Sequence, residues 1–177
     1  MQKLSMDALG RKSAEEFRRA QKTPVIAVLE NIRSAYNVGS LFRTSDAFLL
    51  EGIYLTGYTA QPPHKEIKKT ALGAEDSVSW QYFVNAADAV THLKQNNFKV
   101  YAVEQVMNST MLNEVDFSVE KIAVVFGNEV SGVEQSTLEL CDGCIEIPQL
   151  GMKHSLNIAS AAAVVLWEIV RTRMKSL

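Results

Sequence analysis

Short apolar runs rich in β-branched residues alternate along the chain with segments in which apolar residues recur every three or four positions. The runs predict strands near residues 24–29, 52–56, 78–83, 99–104, 121–126 and 143–147. The periodic segments predict helices near residues 5–20, 38–50, 66–72, 86–96, 133–140 and 156–173. Residues 106–116 follow no clean period, so no element is predicted there. Because strands that alternate with helices form a mostly parallel sheet with helices on both faces, the pattern predicts an α/β fold.

Two turns in the last third of the chain each follow a predicted strand and precede a predicted helix. The first is G-N-E-V-S-G at residues 127–132, and the second is P-Q-L-G-M-K-H-S-L-N at residues 148–157. Open α/β sheets bind their ligands at the carboxyl ends of the strands. Both turns are therefore candidate parts of a ligand site.

The first turn has the G-x4-G spacing of a phosphate-binding loop without its chemistry. That motif requires Lys and then Ser or Thr after the second glycine, where this chain has Val133 and Glu134. Glu129 and Glu134 would repel a nucleoside triphosphate, so the turn favours a neutral or cationic adenosine ligand. The spacing is equally compatible with glycines that only shape a turn.

The second turn predicts the start of the last helix. Pro148 ends the strand, Gly151 frees the backbone, and Ser155 is placed to cap a helix predicted from residue 156. Asn157 adds an amide with two donors and two acceptors, which either contacts a ligand or assists the cap. The small residues at 159–163 permit close approach of another backbone, within the chain or across a subunit interface.

A third candidate segment is the loop and helix at residues 31–48, whose core face is predicted by apolar spacings of three and four. Arg43 lies opposite that face, one turn after Gly39, whose missing side chain would leave the guanidinium clear. Asn37 is predicted at the N-cap position. A helix N-terminus beside a guanidinium is a good receptor for a phosphate group. The alternative is an ordinary Asn cap with a surface ion pair between Arg43 and Asp46.

Composition limits the class of protein. The 177 residues, 47% of them apolar and 21% charged, fit one globular domain with a sizeable core. No apolar run reaches the ~18 residues of a membrane span, and the N-terminus lacks the apolar stretch of a signal peptide, so a cytoplasmic protein is expected. The net charge of -2 argues against nonspecific coating of nucleic acid. Both ends are basic, which predicts a basic helical extension at residues 1–22 before a core at residues 23–170.

The two cysteines form a single C-x-x-C at Cys141 and Cys144. Zinc would need partner ligands at similar spacing, and a redox pair favours a helix N-terminus after a strand. Here the motif falls between a predicted helix and a predicted strand. Structural thiols are therefore expected, and no metal site is predicted.

Three blocks together resemble the SpoU/TrmH branch of the SPOUT RNA methyltransferases. Asn37, Gly39 and Arg43 match the family's N-x-G-x-x-x-R motif, and residues 126–132 match F-G-x-E-x-x-G. Residues 147–157 match I-P-x-x-G followed by S-L-N, except that Gln149 stands where Met is usual. The motifs occur in the family's order and bracket most of the chain.

The resemblance implies a C-terminal trefoil knot in the α/β fold and S-adenosylmethionine as the cofactor bound in it. It also implies an obligate homodimer with active sites at the interface. In the family the cofactor is held largely by backbone, which carries over to Val103, Gly127, Ile147 and Leu156.

The implied reaction moves a methyl group to a ribose 2'-hydroxyl of RNA, with tRNA favoured over rRNA. The family's catalytic positions correspond here to Arg43, Asn37, Glu129, Ser155 and Asn157. Arg43 is proposed in the family as the base. Because arginine resists deprotonation, it is better suited to hold the target phosphate or to stabilise the nascent alkoxide. The other four residues would orient Arg43, the ribose and the donor.

RNA contacts are predicted on a proline-stiffened loop and the helix after it, at His64, Lys65, Lys68 and Lys69. The alternative is a rigid surface loop with solvated lysines. Two rival functions are a noncatalytic RNA-binding or assembly factor on the same scaffold and an unrelated nucleotide-binding protein of flavodoxin or Rossmann type. The retained motif residues argue against the first, and the missing phosphate loop argues against the second.

Overall fold

The computed structural model of the protein describes residues 3–5, 10, 12–118 and 121–174. Its helices are α1 (Ala14–Arg19), α2 (Ala35–Ala47), α3 (Lys65–Ala71), α4 (Ala86–Gln95), α5 (Gln135–Leu138) and α6 (Ile158–Met174). Its strands are β1 (Thr23–Glu30), β2 (Leu50–Thr56), β3 (Trp80–Phe83), β4 (Lys99–Val103), β5 (Thr110–Met111), β6 (Ile122–Phe126) and β7 (Gly143–Glu146). Within these described residues, no helix combines the length and the apolar character that a membrane crossing requires.

The strands form one sheet in the order β3-β2-β1-β6-β4-β7-β5, and each neighbouring pair is parallel. Strand β6 lies between β1 and β4 and is buried along its whole length. A strand covered on both faces reads as a continuous apolar run rather than an alternating one, which explains the I-A-V-V-F sequence. The predicted α/β fold with a mostly parallel sheet is confirmed.

Each face of the sheet carries its own apolar cluster, because successive strand residues point to opposite sides. On β1, Val25, Ala27 and Leu29 belong to one cluster, whereas Ile26 and Val28 belong to the other. Helices α2, α3 and α6 pack on the first face, and α4 and α5 pack on the second. The predicted coverage of both faces is therefore confirmed.

The first helix is shorter than predicted. It begins at Ala14 rather than near residue 5, because Ser13 forms an N-terminal capping box with Glu16. The Ser13 hydroxyl accepts from the Glu16 backbone N–H at 3.2 Å, and the Glu16 carboxylate accepts from the Ser13 N–H at 2.7 Å. Residues 5, 10 and 12 are not helical, and residues 6–9 and 11 of the predicted helix lie outside the described residues.

Strand β5 lies in the segment for which no element was predicted. Its two residues pair with Ile145 and Glu146 of β7 at the edge of the sheet. Two residues are too few to produce a period in the sequence.

The loops that position the candidate site leave the sheet at one edge. Parallel pairing of β1, β6, β4 and β7 brings their carboxyl ends together. The segments that follow them, at residues 31–34, 104–109, 127–134 and 147–157, therefore converge there. The prediction that both motif turns lie at carboxyl ends of strands is confirmed.

Candidate active site

Two adjoining cavities open at the carboxyl edge of the sheet. The larger, of about 460 Å³, is bounded by the ends of β4 and β6, the loop after β6 and the start of α6. The smaller, of about 220 Å³, is bounded by the ends of β4 and β7 and the loop after β7. Their shared lining consists of Val103, Glu104, Ser155, Leu156 and Ala161. Together they have the size of an ordinary small-molecule site.

The structure brings together the four positions predicted to contact the cofactor. Val103 and Leu156 line both cavities, Gly127 lines the larger one, and Ile147 lines the smaller one. They come from four different segments, so their proximity depends on the order of the strands.

The loop at residues 127–132 is folded tightly on itself. The backbone N–H groups of Asn128 and Gly132 each donate to the other residue's carbonyl, at 3.0 and 2.9 Å. A Cβ atom on Gly127 would lie less than 3.0 Å from backbone atoms of Gly132 and Val133. Gly132 itself has a φ of +71°. Glycine is therefore required at position 127 by the close approach of the backbone and favoured at position 132 by the positive φ.

Asn128 anchors this loop, a role that no sequence pattern indicated. Its side-chain oxygen accepts from the backbone N–H groups of Val130 and Ser131, at 2.8 and 3.0 Å. Its amide nitrogen donates to the carbonyl of Asn31 at 2.7 Å and to the hydroxyl of Tyr58 at 2.6 Å. The buried amide thus fixes the loop against the end of β1.

Glu129 ties the same loop to the start of α2. Its carboxylate accepts from the backbone N–H groups of Arg33 at 2.9 Å and Ser34 at 3.1 Å, and from the Asn37 amide at 3.0 Å. Burial opposes ionisation, but hydrogen bonds from the Arg33 backbone and the Asn37 side chain outweigh it and lower the pKa of Glu129. An ionised carboxylate so engaged is a poor proton acceptor and a good anchor for a helix N-terminus.

Asn37 connects Glu129 to the start of α6. Its amide nitrogen donates to Glu129, and its amide oxygen accepts from the Asn157 side chain at 3.3 Å. The Asn157 oxygen in turn accepts from the Ala159 backbone N–H at 2.9 Å. One chain of hydrogen bonds therefore joins the loop after β6, helix α2 and the first turn of α6.

Two predicted caps are wrong. Ser34, not Asn37, caps α2, and Asn37 is the third residue of that helix. This position leaves the Asn37 amide available to Glu129 and Asn157. Helix α6 begins at Ile158, so Ser155 does not cap it; Ser155 is instead exposed and lines both cavities.

Arg43 lies outside both cavities of its own chain. It follows Asn37 by six positions on α2, which places it about 9 Å farther along the axis and about 240° around it. Its exposed side chain lines two other surface cavities, one beside α1 and one between α2, α3 and α6. Of the five predicted catalytic residues, the structure therefore groups Asn37, Glu129, Ser155 and Asn157.

The predicted surroundings of Arg43 also need correction. A Cβ atom on Gly39 would lie less than 3.0 Å from the Thr70 hydroxyl and the Ile67 carbonyl. Gly39 is therefore needed for close packing of α2 on α3 and does not clear space for the guanidinium. The alternative pair with Asp46 is not among the ion pairs of the described residues, and a carboxylate oxygen of Asp46 accepts from the Ser77 hydroxyl at 3.4 Å.

Glu104 is a cavity residue that no motif marked. It directly follows β4 and lines both cavities. One carboxylate oxygen accepts from the Val133 backbone N–H at 3.0 Å, and the other accepts from the Gln105 backbone N–H at 2.9 Å. The only signal in the sequence is an acidic residue at the end of an apolar strand.

The cavities are acidic. Glu104 and Glu129 line the larger one, and Glu104 and Glu146 line the smaller one. His154 is the one basic side chain among the described lining residues, which include no Lys or Arg. A polyphosphate would be repelled here, whereas an adenosine ligand that carries a cationic group fits both the volume and the charge.

The predicted RNA-contact residues are divided between two surfaces. His64, Lys65 and Lys68 line a cavity of about 460 Å³ together with the edge-strand residue Trp80 and two acidic residues, Glu75 and Asp76. Lys69 lies apart from them, donates to the Tyr36 hydroxyl at 3.3 Å and lines the same surface cavity as Arg43.

Both cysteines are free and half-buried, Cys141 after α5 and Cys144 in β7. Burial is the main reason that the pKa of Cys141 rises to about 12, and it raises the pKa of Cys144 as well. Both thiols are therefore protonated at neutral pH. No group of three or more His, Cys, Asp or Glu side chains suited to a metal ion occurs in the part of the chain that the structure describes.

The chain is similar to known RNA-modifying proteins over most of its length. A tRNA (guanosine(18)-2'-O)-methyltransferase from Thermus thermophilus is 34% identical over 166 residues, which cover 94% of this chain and 84% of that protein. The crystal structure of the A. aeolicus TrmH/SpoU tRNA modifying enzyme matches with a TM-score of 0.82 and 25% identity, covering 92% of this chain and 82% of the other.

The SpoU methyltransferase AviRb from Streptomyces viridochromogenes, solved in complex with AdoMet, shares the fold. Its TM-score is 0.79 at 21% identity, and the match covers 89% of this chain and 60% of AviRb. A sequence model of the SpoU rRNA Methylase family matches residues 24–167. The chain belongs to the SpoU rRNA methylase family.

Proposed function

We propose that this protein transfers a methyl group from S-adenosylmethionine to a ribose 2'-hydroxyl of RNA, of tRNA rather than rRNA. One observation carries the proposal: the motif loops after β6 and β7 line adjoining acidic cavities of suitable size and are joined to α2 by the Asn37 side chain. Membership of the family supports the chemistry. The T. thermophilus relative, named for ribose methylation of tRNA, supports the choice of RNA.

The cofactor would lie against Val103, Gly127, Ile147 and Leu156, which line the two cavities. When bound, S-adenosylmethionine supplies an electrophilic methyl group on a positively charged sulfur. The carboxylates of the lining favour that charge, and the scarcity of basic groups disfavours nucleotides with free phosphates. No acid is needed for the leaving group, because a neutral thioether departs.

The chain's own contribution is mainly positional. Asn37, Glu129 and Asn157 form one hydrogen-bonded chain, which would hold the cofactor loops and the helix start in a fixed relation. Ser155 would contact ligands from the shared wall. Fixed geometry can lower the activation free energy by ~7–11 kcal/mol, whereas a well-placed general base raises the rate by a factor of about 10² to 10⁴. The lowered pKa of Glu129 argues against its use as that base.

Arg43 would act across a homodimer interface. It lies outside the cavities of its own chain, which supports an active site completed by a second protomer. Helix α6 exposes Val164 and Trp167 beside the partly buried Phe48, whose ring centroid lies 6.0 Å from that of Trp167. Exposed apolar surface of this kind fits a subunit contact. The guanidinium of one protomer would then hold the target phosphate at the partner's cavities.

The shared site can be tested by mixing inactive protomers. Arg43→Ala and Asn157→Ala chains are unfolded, mixed and refolded together, and methyl transfer to tRNA is measured. If each site takes Arg43 from the other protomer, about one quarter of wild-type activity returns, because half of the random dimers carry one intact site. A mixture of Asn37→Ala and Asn157→Ala chains is the control, since both changes affect a chain's own cavities and no activity should return. Equal failure of both mixtures would show that Arg43 acts within its own chain.

The proposal extends to the whole chain. We assign residues 1–177 to one methyltransferase domain, with a basic extension at 1–22, a core at 23–170 and a trefoil knot in its C-terminal part. The protein would work in the cytoplasm. The RNA would contact His64, Lys65, Lys68 and Lys69, a role supported by the positive charge of the three lysines and by Trp80 as a stacking surface.

Calorimetry with S-adenosylmethionine, followed by a methylation assay on unmodified tRNA and rRNA, tests the proposal. We expect specific binding of the cofactor and incorporation of methyl groups into tRNA. RNA binding without either result would instead identify a noncatalytic RNA-binding factor. Incorporation into rRNA alone would correct the choice of RNA.

A further inference from the structure

We infer that Glu104 gives the donor site a preference for the positively charged methyl donor over the neutral thioether product. The inference rests on the proposed function and names a residue that sets ligand preference at the same site.

Glu104 lies in the wall that the two cavities share. A ligand that occupies both cavities must pass this side chain. Val103, beside it in the chain, lines the same wall with an apolar side chain. Glu104 thus places one negative charge at the junction of an otherwise largely apolar shared surface.

The carboxylate is held in place by the backbone. Its two oxygens accept from the N–H groups of Val133 and Gln105, at 3.0 and 2.9 Å. Gly132 makes this approach possible, because a Cβ atom there would lie less than 3.0 Å from the Glu104 carboxylate. A charge fixed before the ligand arrives interacts with it without reorganisation.

The other two carboxylates of the lining are placed differently. Glu129 is engaged by three hydrogen bonds from the N-terminal part of α2 and faces only the larger cavity. Glu146 accepts from the Ser109 hydroxyl at 2.7 Å and lines only the smaller cavity. Glu104 is therefore the carboxylate that both cavities share.

Methyl transfer removes the charge that Glu104 attracts. The carbon–sulfur bond breaks, its electron pair stays on sulfur, and a carbon–oxygen bond forms to the ribose hydroxyl, whose proton passes to solvent. The bound ligand changes from a sulfonium to a neutral thioether. The attraction to Glu104 is lost at that moment, which favours release of the product.

The test compares three ligands by calorimetry: S-adenosylmethionine, S-adenosylhomocysteine, and an analogue in which a protonated amine replaces the sulfonium. Glu104→Gln removes the charge and keeps one oxygen that can accept from Val133, while the hydrogen bond from the Gln105 N–H is lost for all three ligands alike. We expect it to weaken both cationic ligands about tenfold and the thioether by less than about twofold, as for loss of one Coulomb partner in a partly buried site. Glu114→Gln, which removes an exposed carboxylate outside the cavities, should change none of the three affinities.

An equal loss of affinity for all three ligands in E104Q would overturn the inference and give Glu104 a purely structural role. Unchanged affinities would overturn it as well. A second variant, Glu104→Asp, keeps the charge and should keep the ratio of cation to thioether affinity within about twofold of wild type. A tenfold fall of that ratio in E104D would contradict the inference even if E104Q did not fold. Wild-type protein that binds none of the ligands would refute the proposed function instead.

Discussion

Substitution of Gly127 by Ala tests how tightly the cofactor loop is built. The added methyl would lie less than 3.0 Å from the backbone carbon of Gly132 and the backbone nitrogen of Val133. Neither atom can rotate away, so the loop itself must move. Overpacking lowers the free energy of unfolding by about 1–3 kcal/mol. We expect the upper end of that range, about 3 kcal/mol, because both contacted atoms belong to the backbone. For a chain of this size that corresponds to a fall in Tm of about 6–12 °C.

Thermal unfolding and calorimetry of the purified variant measure both consequences. Displacement of Val133 would also break its hydrogen bond to Glu104, so affinity for S-adenosylmethionine should fall at least about tenfold. Gly151→Ala is the matched control, because no atom lies within 4 Å of the position of its added Cβ. It should change stability by less than about 1 kcal/mol. A Gly127→Ala protein with the Tm and cofactor affinity of wild type would refute the steric reasoning.

Three further predictions concern other parts of the molecule. The pKa of Glu129 is lowered in the folded state, so its contribution to stability is present above about pH 4.3 and lost as the pH falls through its folded pKa; the Tm advantage of wild type over Glu129→Gln should shrink between pH 7 and pH 3, and a constant difference would contradict this. Charge reversal at Lys65, Lys68 and Lys69 should weaken tRNA binding. It should also reduce the slope of log affinity against log salt concentration by up to about 0.9 per lost phosphate contact, whereas an unchanged slope would show that these lysines do not contact the RNA. Cys141, whose pKa is raised to about 12, should resist alkylation by iodoacetamide at pH 8 in the folded protein, and rapid modification detected by mass spectrometry would show that its thiol is accessible and ionised.

The central strands and helices could be predicted from the sequence because their burial is regular: each is covered either on both faces or along one continuous face. Strand β6 is covered on both faces, so its apolar run was unmistakable, and α4 presents a regular apolar face at Ala86, Ala89, Val90 and Leu93. The end of the sheet that carries the site also followed from the sequence, because a strand, a turn and a helix in that order place the turn at the carboxyl edge. These features depend on local periodicity alone.

Details set by contacts between distant segments could not be predicted. Ser34 and Asn37 are both good capping residues, and the Glu129 carboxylate that accepts from the Ser34 N–H and the Asn37 amide lies more than ninety positions away. Glu104 was assigned to a strand because nothing local shows that Val133 lies beside it. The environment of Arg43 depends on a second protomer in our proposal, so neither the sequence nor one chain can supply it.

Analysis of nucleosides from methylated tRNA tests the central claim most directly. Unmodified tRNA is incubated with the protein and S-adenosylmethionine that carries an isotopically labelled methyl group, then digested to nucleosides and examined by mass spectrometry. We expect the label on the ribose of one nucleoside, as a 2'-O-methyl group, and its loss in the Arg43→Ala variant. Label on a base, or no label despite bound cofactor, would contradict the claim that this site methylates a ribose hydroxyl.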